Sequence, residues 1–183
     1  WNGPNALGSG HETEEGLSAP GREAVAVLED CGILLDVSHL NDAGLWDVLD
    51  VARRPFLATH SNARAVCPHP RNLADWQIRE MAGRGCLIGL NYYSPFLRDD
   101  GRPAGLDDLC RHAGHILSLG GENCLALGSD FDGATMPPCL DRCDRVPALV
   151  SVLEARFGRE LAEKIAWRNA LAFFSGGRTG PPA

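Results

Sequence analysis

Three short apolar runs each end in a side chain able to bind a metal or move a proton. They are Ile33-Leu34-Leu35-Asp36-Val37-Ser38-His39, Phe56-Leu57-Ala58-Thr59-His60 and Cys124-Leu125-Ala126-Leu127-Gly128-Ser129-Asp130. Runs of this length, bounded by polar residues and separated by helical patterns, read as strands buried in a parallel sheet. In such a sheet the carboxyl ends of neighbouring strands converge on one side, and ligands bind there. Two imidazoles and a carboxylate delivered to that side have the look of a metal-hydrolase site.

The periodicity between the runs is helical. Residues 1–20 read as a long loop. Ala24, Val27, Leu28 and Cys31 then lie on one helix face, stopped at Gly32. Asn41 is placed to cap a helix with Leu45, Val48, Leu49 and Ala52 inward. Further helices are expected over about 73–83, 106–119 and 159–174, and one opening near Pro147. Strands are expected at about 32–38, 55–60, 86–91 and 124–129, all parallel. Alternation of this kind implies right-handed crossovers. Four strands do not close an eight-stranded barrel. The pattern therefore fits either a small open α/β sheet or half a barrel.

A formal charge of −7 in 183 residues argues against a nucleic-acid binder. No apolar run approaches the roughly 20 residues of a membrane span. The start, Trp1-Asn2-Gly3-Pro4, lacks the basic and apolar regions of a signal peptide, and is not an initiator methionine. The expectation is a chain that begins inside a longer product. Seven cysteines, an odd number with two inside apolar runs, point to free thiols in a reducing, cytoplasmic setting. Cys139-x3-Cys143 lacks a second ligand pair at finger-like distance and reads as a loop with two thiols.

His39 and His60 are the candidate metal ligands, since neutral imidazole is a common zinc donor. A single such histidine more often caps a strand; a pair on neighbouring strand ends, with Asp130 on a third, raises the case for a site. Asp130-Phe131-Asp132-Gly133 offers a carboxylate for proton transfer, or merely an Asx turn with Gly133 at positive φ. Arg71, in the loop above the second strand, could pair with a carboxylate, or be a solvated loop arginine. His112 lies on an apolar helix face and reads as a satisfied core histidine. Asn169 reads as a buried hydrogen-bonding residue, and His11 and His69 as loop residues.

The stretches Gly32-Ile33-Leu34-Leu35-Asp36-Val37-Ser38-His39, Thr59-His60-Ser61-Asn62-Ala63-Arg64-Ala65-Val66-Cys67, Arg71-Asn72 and Gly128-Ser129-Asp130-Phe131-Asp132-Gly133 resemble the renal (membrane) dipeptidase family of zinc peptidases. So does the 21-residue spacing of His39 and His60. The similarity runs from residue 1 to about 174. The resemblance implies a distorted TIM-type (β/α)8 barrel of the metal-dependent hydrolase kind, present here as about four βα units, a half barrel over 1–174, while the Gly- and Pro-rich stretch 175–183 reads by composition as a flexible tail. It implies two zinc ions in the complete enzyme, with His39 and His60 as ligands of one. It also implies a dipeptide substrate held by Arg71 through its C-terminal carboxylate, Asp130 over the attacked carbonyl as the proton-handling group, and a zinc-activated water as nucleophile. The family's His-x-Asp pair and bridging Glu would precede Trp1, so the metal site of this chain is expected to be incomplete. Trp1 stands where animal members carry a substrate-binding His, and Trp167-Arg168-Asn169 stands where the family has Gly-Gly-Asn. Two readings compete with dipeptidase activity: a non-catalytic truncated member, or an amidohydrolase with another substrate. Open sheet edges favour association into a homo-oligomer.

Overall fold

The computed structural model describes residues 3–176. Helices α1 (Ala19–Asp30) and α2 (Asp42–Val51) precede strand β1 (Leu57–Ala58). Then come α3 (Asp75–Gly83), β2 (Leu87–Asn91), α4 (Ser94–Leu97), α5 (Leu106–Ser118) and β3 (Leu125–Ser129). Helices α6 (Val146–Phe157), α7 (Arg159–Glu163) and α8 (Asn169–Phe174) close the described chain. The three strands form a parallel sheet in the order β1-β2-β3.

The expected strand at 32–38 is reduced to a single parallel bridge between Asp36 and Leu57. Its ladder survives as Val37 N–H to Leu57 O, 2.8 Å, and Leu57 N–H to Leu35 O, 3.0 Å. The reason is local. Asp36 turns its carboxylate onto the backbone of Ser38, and that Asx-type bond competes with ladder pairing. Ile33 and Leu34 are exposed rather than buried.

Two helices hand the chain to the sheet by the same device. After α1, Gly32 has φ of 72°. Its N–H bonds Glu29 O, and Ile33 N–H bonds Leu28 O. After α3, Gly85 at φ 70° repeats the pattern with Ala82 O and, from Cys86, Met81 O. These are Schellman caps, which need a left-handed residue that glycine adopts without strain. Asn41 caps α2 as its spacing predicts: Oδ1 accepts from Gly44 N–H at 2.7 Å. Its amide also donates to Thr13 O and Glu15 O, tying the N-terminal loop to α2.

Alternation along the strands separates two apolar layers. Ala58, Ile88, Leu90 and Leu125 join the main core beneath α2, α3, α5 and α6. Leu57, Leu87 and Ala126 face the other way, against Ala170 and Phe173 of α8. Both sheet faces are thus covered, as parallel sheets require. Truncating a fully buried member such as Ile88 to Ala would cost about 2–5 kcal/mol. The expected helix at 159–174 is interrupted by a π-turn at Lys164–Arg168. Next to it, Asn169 donates to Glu122 O and Leu125 O, pinning α8 beneath β3 in the buried role its helix position suggests. Between β2 and α5 the chain forms the short α4. No helix among the described residues is long and apolar enough to cross a membrane. Trp1, and the 177–183 part of the expected tail, lie outside the described residues.

Candidate active site at the strand ends

The site lies just past the carboxyl ends of the parallel strands, where the polar residues begin. His60 follows β1. Its Nε2 lies 3.0 Å from Nε2 of His39, with ring centroids 5.0 Å apart. Two nitrogens bound to one tetrahedral zinc at 2.0–2.1 Å would lie about 3.3 Å apart. The donor chemistry and spacing of the pair therefore fit a single metal ion. Burial lowers the pKa of both rings, His39 to about 4. The Arg71 charge acts in the same sense on each, while Asp130 opposes it at His60. Neutral imidazole is the form that binds metal. No group of three His, Cys, Asp or Glu able to hold a metal occurs among the described residues. Cys139 and Cys143 form none either: Cys139 bonds Ala104 O, and Cys143 is exposed.

The sheet itself makes room for His60. A Cβ on Gly89 or on Gly128 would lie 2.1 Å from Thr59 O. Only glycine at both positions lets the Thr59-His60 backbone fold over the ends of β2 and β3.

Asp36 sits beneath the histidines, and it is the group that motif reading left without a role. Its Oδ1 accepts from Ser38 N–H, Ser38 Oγ–H and Thr59 N–H at 3.0, 2.7 and 3.0 Å. Its Oδ2 accepts from Thr59 Oγ1 at 2.6 Å. Burial pushes its pKa up, but the bonds from Thr59 and Ser38 outweigh that and hold it below the usual carboxylate range. Ser38 Oγ also accepts from His60 N–H. A charged residue inside an otherwise apolar run was the available sequence signal for this role.

Asp130 stands at the exit of β3 on strained backbone. Ser129, Asp130 and Asp132 all have positive φ, at 50°, 81° and 64°. The left-handed residues are these three, not Gly133. Non-glycine residues held there cost about 1–3 kcal/mol each and cluster at functional sites. The register between β2 and β3 shifts at Leu90/Asn91, so Asn91 pairs with Ser129. Such irregularities re-aim side chains. Here Asn91 donates its amide to Asp130 Oδ2 at 3.0 Å, and its own Oδ1 accepts from Tyr93 N–H. Asn62 donates its amide to Asn91 O, and its Oδ1 accepts from Asn91 N–H. Asn91 is the polar end of an apolar run and Asn62 a loop residue after His60, and their roles appear only in the tertiary structure.

Arg71 is not a solvated loop arginine. It is 4% exposed, and its Nη2 has no hydrogen-bond partner. The guanidinium carbon lies 5.5 Å from the centre of the Phe96 ring. Burial lowers its pKa to about 10, against the charges of Asp130 and Asp36. A buried, under-partnered guanidinium is a ready anion site. His69 accepts from Arg71 N–H and packs on Phe96. A cavity of about 600 Å³, walled by His69, Tyr93, Met136 and Pro137, lies on that flank, but none of His39, His60, Arg71 or Asp130 lines it.

His112 is elsewhere and differently employed. It is fully buried, accepts from Ala63 N–H at Nδ1, and donates from Nε2 to Leu97 O.

The sequence model of the membrane dipeptidase family, peptidase family M19, matches residues 4–176. An uncharacterized protein in the pqqA 5′ region of Klebsiella pneumoniae is 38% identical over 93% of this chain and 68% of its own length. An uncharacterized dipeptidase of Schizosaccharomyces pombe is 33% identical over 75% of this chain and 33% of its own. The crystal structure of a metallopeptidase from Rhodobacter sphaeroides, liganded with a phosphinate mimic of the dipeptide L-Ala-D-Ala, superimposes with a TM-score of 0.89. It is 36% identical, and the match covers 94% of this chain and 52% of that one. The chain thus spans about half the length of that solved relative.

Proposed function

Because the chain belongs to the membrane dipeptidase family, peptidase family M19, we propose that it carries the substrate-anchoring and proton-handling part of a zinc-dependent dipeptidase. The carrying observation is the convergence of His39 and His60 at 3.0 Å beside a buried guanidinium with an unpartnered Nη2. The three-stranded sheet and the Asp36 bridge are then one side of a TIM-type barrel of the metal-dependent hydrolase kind.

In this reading His39 and His60 hold one zinc, and a complete enzyme carries two. Bound zinc supplies Lewis-acid activation of water and of the scissile carbonyl. Arg71 binds the substrate's C-terminal carboxylate, replacing the partner that its Nη2 lacks. Asp130 takes a proton from the attacking water and returns it to the leaving amine. Asn91 keeps the Asp130 carboxylate aimed at that position. The dipeptide-mimic ligand of the Rhodobacter sphaeroides metallopeptidase supports the substrate class. Seven free cysteines suit a reducing, cytoplasmic setting.

Metal analysis with a dipeptide panel tests the reading. The gene product is expected to contain zinc and to hydrolyse dipeptides with free C-terminal carboxylates, losing activity on chelation. Absence of metal at the histidine pair, or chelator-insensitive activity, would overturn it. The 183-residue chain alone, with two metal ligands among its described residues, is expected to bind zinc weakly and turn over poorly.

A further inference from the structure

Proton bookkeeping around Thr59 determines which nitrogen of His60 carries hydrogen. Thr59 Oγ1 touches three groups: Asp36 Oδ2 at 2.6 Å, His60 Nδ1 at 2.7 Å and Ser38 Oγ at 3.1 Å. A hydroxyl has one hydrogen to give. The Asp36 carboxylate is acceptor-only, and it makes the shortest of the three contacts. Ser38 Oγ spends its own hydrogen on Asp36 Oδ1. Thr59 therefore donates to Asp36, and the bond to His60 is made by Nδ1–H of the ring. The lone pair of His60 is left on Nε2, the atom that faces His39.

We propose that Asp36 is a positioning residue that acts through the Thr59 hydroxyl to hold His60 as the Nδ1–H tautomer, with its Nε2 lone pair turned toward His39. The inference rests on the zinc reading above only for its purpose, because Nε2 is the atom presented to the metal. A histidine ligand whose far nitrogen is held by a hydrogen-bonded partner is fixed in ring orientation and tautomer. Here a threonine hydroxyl stands between the carboxylate and the ring.

The geometry predicts an inversion in Asp36→Asn. Two backbone N–H groups, from Ser38 and Thr59, point at Oδ1, so the amide oxygen must take that place. The amide NH2 then faces Thr59 Oγ1 as a donor. Thr59 turns its hydrogen to His60 Nδ1, and the ring proton moves to Nε2.

The test is long-range 1H–15N correlation of the histidine rings in the intact protein after chelation, with His60 assigned by its loss in His60→Ala. The wild type is expected to show the Nδ1–H pattern and Asp36→Asn the Nε2–H pattern. Thr59→Ser keeps the hydroxyl and is expected to retain the wild-type pattern. Thr59→Val lacks it and is expected to lose the preference, which keeps the inference testable should Asp36→Asn not fold. A wild-type ring protonated at Nε2, or tautomers indifferent to both Asp36→Asn and Thr59→Val, would overturn the inference. A parallel cobalt(II) titration reads the consequence: affinity is expected to fall about 10–100-fold in Asp36→Asn and Thr59→Val but not in Thr59→Ser. If cobalt affinity is unmoved by His60→Ala, the metal reading fails while the tautomer result still decides the role of Asp36.

Discussion

His60 and His112 are both drawn into the fold by apolar segments, yet the structure uses them in opposite ways. At the rim of the sheet, His60 spends one nitrogen on Thr59 and turns the other to a second imidazole. In the core, His112 spends both nitrogens on backbone, joining Ala63 to Leu97. What separates a candidate ligand from a structural histidine is therefore the nitrogen that the surroundings leave over. The two are also connected. Ala63 lies three residues after His60, so the core histidine anchors the chain on which the rim histidine is carried.

The comparison predicts a division of labour between variants. The largest effect falls on activity at the rim. In an enzyme with a complete metal site, His60→Ala should reduce dipeptide hydrolysis to the level of a chelated sample and lower zinc content, with a melting temperature close to that of the chelated wild type. Retained activity with full zinc occupancy would break the assignment. Arg71→Ala comes next. If Arg71 pairs with a substrate carboxylate as proposed, removing its charge costs about 2–5 kcal/mol of binding. Hydrolysis of dipeptides with a free C-terminal carboxylate should weaken accordingly, chiefly in KM. C-terminally amidated analogues should be indifferent, and an equal loss on both would remove Arg71 from carboxylate recognition.

The core side of the comparison predicts stability effects. His112→Leu leaves Ala63 N–H and Leu97 C=O buried without their partner. At about 1–3 kcal/mol for each of the two orphaned groups, the variant should lose roughly 2–6 kcal/mol in denaturant unfolding. A loss below 1 kcal/mol would show that the pair finds another partner. The smallest and most specific effect is on pH dependence. Burial lowers the His112 pKa from 6.5 to about 4, partly offset by its bond to Leu97 O. The unfolded chain then binds this proton near pH 6.5, and the folded chain only near 4. The stability that His112 contributes is thus full above about 6.5 and declines as pH falls toward 4, by at most about 1.4 kcal/mol per pH unit. Unfolding titrations of wild type and His112→Gln should differ in slope within that window and run parallel above it.

Much of the architecture was legible from periodicity and punctuation. Gly32 ended α1, Asn41 capped α2, and the apolar runs around Leu57, Ile88 and Leu125 became parallel strands. These features depend on neighbours in the chain, so the chain itself displays them. The apolar run before His39 predicts a full strand, and the structure has only a bridge there, because Asp36 bonds local backbone and the Thr59 hydroxyl. Arg71 could equally have been a solvated residue by its loop context. Its burial against Phe96 depends on residues 25 positions away and is a tertiary fact.

The parallel strands around Leu57, Ile88 and Leu125, the capping residues and the candidacy of His39 and His60 were legible in the sequence alone. Each follows from short-range spacing of apolar, glycine and polar residues. The close approach of the two imidazoles, the Asn91 hold on Asp130, the strained exit of β3 and the Asp36–Thr59–His60 chain were decided only by the tertiary structure. The contacts His39–His60, Asp36–Thr59 and Asn91–Asp130 join residues 21 to 39 positions apart, and hydrogen-bond direction depends on distances of a few tenths of an ångström. Local pattern carries no such distances; they arise when the parallel strands pack and their ends meet.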